Sequence, residues 1–221
     1  MSGTHGALRL IELTSAHLCR DLGGLVGLLD GGRAVTVGGA MPGDPAAAVP
    51  IQPDRDTAAP AAAKALTTRL ELRRAAWGPQ AGPDGEPLSL AQLKRLVGGL
   101  PGRVGVGLSA LHPDTVFPAD SGRIVLNLLL LAADSLPFGG AIMLAGSADD
   151  LFIRIAGTSA AWPTGIAVCL ADEAEARSAL TEQRSLQMAL TALLAHAARI
   201  RLSLVMSPTA NDGPAILRLG G

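Results

Sequence analysis

The sequence predicts an α+β protein in which an N-terminal pair of helices precedes a sandwich of helices and short strands. Three observations carry that prediction. Two long stretches in the first third repeat apolar residues at helical spacing. A Pro- and Gly-rich run from Gly78 to Pro87 reads as a linker. Beyond it, helical stretches alternate with short apolar runs of strand length. The 221 residues thus divide into a helical domain over 1–78 and a sandwich over 88–221.

The first helix is expected from about Ala7 to Leu29 and closes at Gly31-Gly32, where glycine takes the left-handed conformation. At helical spacing Ile11, Ser15, Leu18, Leu22, Leu25 and Leu29 form one seam, flanked by Leu8, Cys19 and Val26. On the opposite face Leu13, His17 and Arg20 stand above Gly24, Gly27 and Gly31, so that a partner can approach an imidazole and a guanidinium closely. Between residues 38 and 60, Pro42, Pro45, Pro50, Pro53 and Pro60 preclude a continuous helix, and the stretch reads as a poorly ordered insertion.

A second helix is expected over Ala58–Trp77, with Ala59, Ala63, Leu66, Leu70 and Trp77 on one face. Two helices alone leave part of each stripe in water. A second copy packing by two-fold symmetry into a four-helix bundle covers both, which predicts a homodimer.

In the second half, Ser89 and Gln92 have capping-box spacing for a short helix ending near Gly98-Gly99. Val104, Val106 and Leu108 alternate with glycines as in a strand. Asp120 or Ser121 is the expected N-cap of an apolar helix over Arg123–Ser135. Ala141–Ala145 and Leu151–Ala156 read as a hairpin turning at Asp149-Asp150. A Pro- and Gly-containing segment (Trp162–Gly165) and an acidic stretch (Asp172–Glu175) lead to a helix over Thr181–Arg199, with Leu186, Leu190, Leu193, Leu194 and Ala197 on its buried face. Strands over Leu202–Met206 and Ala215–Leu219 complete the chain.

A formal charge of −1 argues against nucleic-acid or anionic-membrane partners. Sixteen arginines against Lys64 and Lys94, with no tyrosine, read as the codon bias of a GC-rich genome. Two distant cysteines, Cys19 and Cys169, are free thiols of a reducing compartment rather than a disulfide framework. The N-terminus lacks the pattern of a signal peptide, and no apolar run approaches the roughly 20 residues of a membrane span. A cytoplasmic location follows as the expectation.

Three stretches carry a family resemblance. Leu18-Cys19-Arg20-Asp21-Leu22 resembles the phosphoacceptor box of the ChpT-type histidine phosphotransferases, a Leu-Cys-His-Asp-Leu run in the first helix of a dimerising hairpin. Arg69-Leu70-Glu71-Leu72-Arg73-Arg74-Ala75-Ala76-Trp77-Gly78 resembles the end of that hairpin's second helix. Leu126-Asn127-Leu128 through Leu136-Pro137-Phe138-Gly139-Gly140 resembles a helix of the family's C-terminal domain, itself similar to the ATP-binding domain of sensor histidine kinases. The resemblance implies a histidine-kinase ATPase-like sandwich without ATP motifs. Where those kinases place a Mg²⁺-holding Asn, four residues after another Asn, this chain has Leu131. Gly157-Thr158-Ser159-Ala160 contains no Asp-x-Gly-x-Gly, and no Walker-type loop is present.

In such proteins a His takes a phosphoryl group from one receiver-domain aspartate and passes it to another, needing no nucleotide or metal beyond the Mg²⁺ that the receiver brings. Here the phosphoacceptor position is Arg20, whose protonated guanidinium has no lone pair to attack phosphorus. Asp21 is then an orienting acid without its His. The favoured reading is a phosphorelay protein that docks receiver domains through His17, Arg20, Gly24 and Gly27 but is degenerate for transfer. In a second reading, His17 is the phosphoacceptor; it lies about 60° round the same face and roughly 4.5 Å along the axis. A third is a non-enzymatic dimeric ligand sensor or structural module. No ATP-dependent kinase activity, cofactor or resident metal is expected. His112 beside Pro113 and His196 late in a helix have no catalytic partner in the sequence.

Overall fold

The structure is a computed structural model that describes residues 55–78, 85–181, 185–205 and 213–220. The first helix, with Cys19, and most of the 38–60 insertion lie outside the described residues. The described chain opens with α1 (Arg55–Trp77), then β1 (Leu88–Ser89), α2 (Leu90–Leu96) and a 3₁₀ turn over Val97–Gly99. It continues with β2 (Val104–Leu111), β3 (Val116–Phe117), α3 (Ala119–Asp134) and the hairpin β4 (Gly140–Gly146) and β5 (Asp150–Ala156). Then come α4 (Ile166–Ala171), α5 (Glu173–Ser178), α6 (Leu186–Ala198), β6 (Arg201–Val205) and β7 (Ile216–Gly220).

Five strands form one mixed sheet in the order β2-β4-β5-β7-β6. β2 runs parallel to β4, and every other pairing is antiparallel. Alternation sets the register. Ile142 and Leu144 of β4, Leu151, Ile153 and Ile155 of β5 and Leu217 and Leu219 of β7 all point into one core. Helices α3 and α6 supply its other layer, and α3 is buried on nearly every side, from Ile124 to Ala133. An α+β sandwich results, as the periodicities predict, and its sheet is mixed.

Local signals explain most boundaries. Ser89 and Gln92 form the capping box: Gln92 N–H donates to Ser89 Oγ and Ser89 N–H to Gln92 Oε1. The 141–145 and 151–156 runs pair as the expected hairpin, closed by Ser147 N–H donating to the Asp150 carbonyl at 2.9 Å. Gly139, at φ 84°, occupies left-handed backbone where a side chain would also meet the Arg103 carbonyl.

Several expectations need correction. Helix α1 begins at Arg55, ahead of the expected Ala58, and runs through Pro60 in its second turn. Its buried residues are Leu72, Arg73 and Ala76, whereas Ala63 and Leu70 are exposed. The sandwich docks on the last turns and selects a face rotated from the apolar stripe. Helix α3 starts at Ala119 behind Pro118, with no side-chain cap from Asp120 or Ser121. Helix α6 starts at Leu186 rather than Thr181, and Gln187, Met188, Ala189, Thr191, Ala192 and Ala195 are buried while Leu190, Leu193 and Leu194 are only half-buried and Ala197 is exposed. The segment before it folds as the short helices α4 and α5, the latter capped by Asp172, which accepts from Ala174 N–H.

Candidate functional site

The residues that the sequence proposes for receiver contact, His17, Arg20, Asp21, Gly24 and Gly27, lie outside the described residues. What the structure does build is the joint between the end of α1 and the sandwich. Leu72 and Ala76 are fully buried there. Gly99 makes the close approach possible, since a Cβ on it would stand 2.6 Å from the Thr68 carbonyl oxygen and 2.9 Å from Leu72 Cβ.

Asn127 ties the joint. Its Nδ2 donates to the Ala76 carbonyl and the Arg123 carbonyl, each at 2.9 Å, while Oδ1 accepts from Trp77 Nε1 at 3.1 Å and Gln187 Nε2 at 3.0 Å. Both donors and both acceptor positions of this fully buried amide are therefore used. Gln187 Nε2 also contacts Thr191 Oγ1, which in turn donates to the Gln187 carbonyl. Gln187 Oε1 accepts no hydrogen bond among the described residues. Arg123 Nε adds a bond to the Ala76 carbonyl at 3.2 Å. Thus one side chain of α3 holds the end of α1 and the start of α6 together.

Charge surrounds this knot. The Arg73 guanidinium stacks over Trp77 at 4.6 Å from the ring centroid. Burial lowers its pKa, partly offset by Asp134. Asp134, at the end of α3, is crowded by protein that strips its water and pushes its carboxyl up to about 6, against the pull of Arg73 and Arg103. Part of that side chain remains open to solvent, so its charge is screened.

Leu131 lies one turn after Asn127 and is 2% exposed. It offers no oxygen to a divalent cation, and Asn127 has no hydrogen-bonding position left over. The residues here do not fit a Mg²⁺-nucleotide. Beside them, the 157–160 segment is drawn against the Gly139-Gly140 turn, Ala161 N–H donates to the Ser135 carbonyl and Trp162 Nε1 to the Ala215 carbonyl.

The two histidines among the described residues, His112 and His196, have structural surroundings. His112 is exposed beside Asp114, whose N–H donates to Nδ1. His196 Nε2 lies 3.0 Å from the Cys169 carbonyl oxygen, which makes Nε2 the donor. Burial raises the Cys169 thiol pKa, with Glu175 adding to it. No three His, Cys, Asp or Glu side chains cluster as a metal site among the described residues, and no described helix is long and apolar enough to cross a membrane. Sequence reasoning missed the joint. Its available signals were the lone Asn127 in an otherwise aliphatic run and the Arg73/Trp77 pair at i, i+4.

Comparison with known proteins agrees with this architecture. A solved 1.7 Å structure of a bacterial phosphotransferase is similar in fold, with a TM-score of 0.57 at 21% identity over 96% of each chain. No curated protein matches the chain. A family model described as the histidine phosphotransferase C-terminal domain matches residues 90–210, more than half of the sequence and nearly the whole sandwich. The chain belongs to the histidine phosphotransferase C-terminal domain family.

Proposed function

We propose that this chain is a ChpT-type phosphorelay protein that docks the receiver domains of response regulators but no longer carries phosphate. The match of the histidine phosphotransferase C-terminal domain to residues 90–210 is the observation that supports this reading most. The fixed joint between α1 and the sandwich adds to it, because a docking platform needs its helices held at one angle to the domain. On this reading residues 1–78 form a helical hairpin that dimerises as a four-helix bundle, and 88–221 form the sandwich that carries it.

Chemistry at the phosphoacceptor position decides the rest. Neutral imidazole attacks phosphorus through a ring nitrogen, whereas the Arg20 guanidinium stays protonated and lacks a free lone pair. It can instead form charge-assisted hydrogen bonds to the acidic pocket or phosphoaspartate of a receiver, whose own Mg²⁺ completes that site. The protein then sequesters or gates a relay. Titrating the full chain with a receiver domain from the same genome tests this directly. Saturable binding that Arg20→Glu weakens about tenfold or more supports docking at that face; no binding, or binding indifferent to Arg20→Glu, contradicts it.

A further inference from the structure

Between the last two turns of α1 and the sandwich runs a groove of about 470 Å³, in the size range of small-molecule sites. Five charged side chains line it: Glu71 and Arg74 from α1, Glu86 ahead of β1, Arg95 from α2 and Arg123 from α3. Leu88 and Leu126, both nearly buried, form part of its floor. Among the described residues none of these five charges is in an ion pair, although cations and carboxylates share one groove. Arg123 is held in place by its Nε bond to the Ala76 carbonyl.

We propose that this groove binds a small organic phosphate whose apolar or aromatic body carries hydrogen-bond donors, as a nucleoside diphosphate does. Arg74, Arg95 and Arg123, from three elements, line the groove with guanidinium groups, the side chain best suited to phosphate. The leucine floor takes the body of the ligand, and Glu71 and Glu86 accept from its amino or hydroxyl groups. The site is separate from the Leu131 region farther along α3. Its position gives it a consequence: the walls belong to α1 on one side and to α2 and α3 on the other, so an occupant braces α1 against the sandwich. This inference stands independently of receiver docking.

Calorimetric titration of the full chain with ADP, GDP, pyrophosphate and adenosine tests it, alongside Arg95→Ala and Arg74→Ala, which replace exposed side chains. The expected result is saturable one-to-one binding of a nucleoside diphosphate, weaker binding of pyrophosphate and none of adenosine. Arg95→Ala and Arg74→Ala should each weaken it about tenfold while leaving the ligand-free melting temperature unchanged. Absence of saturable binding by every phosphate probe overturns the proposal, as does binding that neither substitution diminishes. Pyrophosphate binding as tight as that of the diphosphates overturns the role given to the apolar floor.

Discussion

Trp77 at the end of α1 donates its indole N–H to Asn127 of α3 at 3.1 Å, across fifty positions of sequence. Through that bond and the Asn127 bond to the Ala76 carbonyl, the end of α1 becomes part of the sandwich core rather than a tethered neighbour.

Removing the amide tests the joint. In Asn127→Leu the Trp77 N–H loses its bond to the amide, at a cost of about 1–3 kcal/mol, while the Ala76 carbonyl keeps Arg123 Nε and the Gln187 amide keeps Thr191 Oγ1, each with one bond fewer. After partial relaxation the expected loss is roughly 3 kcal/mol, read as a fall in melting temperature of about 6–12 °C. An unchanged melting temperature would show that the joint contributes nothing to stability.

Gly99 and Gly98 form a matched pair. A Cβ at Gly99 would overlap the Thr68 carbonyl, whereas one at Gly98 meets only Thr68 Cγ2 at an ordinary 3.6 Å. Gly99→Ala should therefore cost about 1–3 kcal/mol and loosen α1 to proteolysis. Gly98→Ala should be neutral within about 0.5 kcal/mol. Equal behaviour of the two variants in denaturant titrations would contradict the close packing of α1 on the 3₁₀ turn.

Leu131→Asn restores the side chain that resembling kinases use for Mg²⁺, yet places it at a position 2% exposed among aliphatic neighbours. We expect a loss of about 2–4 kcal/mol in stability and no gain of Mg²⁺-ATP binding by equilibrium dialysis. Acquisition of nucleotide binding by this single change would show that the pocket is otherwise intact.

Asp134 gives a pH signature. Its carboxyl is raised to about 6 in the folded chain, so the folded state holds the proton more tightly than the unfolded state. The contribution of this group is fully present below the unfolded carboxylate pKa and is lost as pH rises through about 6. Asp134→Asn mimics the protonated form. Its melting temperature should equal wild type in acid, near pH 4, and exceed it by a small margin near pH 7.5, small because solvent screens the group. A variant less stable than wild type at neutral pH would mean that attraction to Arg73 outweighs the loss of water.

Much of the sandwich was legible because its signals are local. The Ser89/Gln92 box, the 141–145 and 151–156 alternation and the two C-terminal strands each specify themselves within a few residues. What was not legible depends on distant partners. The buried side of α1 is chosen by Gly99 and Asn127, which no periodicity in 55–77 encodes. The buried side of α6 includes Gln187 and Thr191, polar residues that face inward because Asn127 waits there. Asn127 stands out in the sequence as the polar residue of an apolar run; its bonds to Ala76, Trp77 and Gln187 belong to tertiary structure alone. The receiver-contact residues His17, Arg20, Asp21, Gly24 and Gly27 remain a reading of the sequence and its resemblance.

Phosphotransfer is the most direct test of that reading. Purified protein is incubated with a phosphorylated receiver domain from the same genome, and acid-labile phosphate is followed on wild type, His17→Ala and Arg20→His. The account predicts no label on wild type and label on Arg20→His, the mark of an intact docking platform whose chemistry is missing at one residue. Label on wild type that disappears in His17→Ala would contradict it and make His17 the phosphoacceptor.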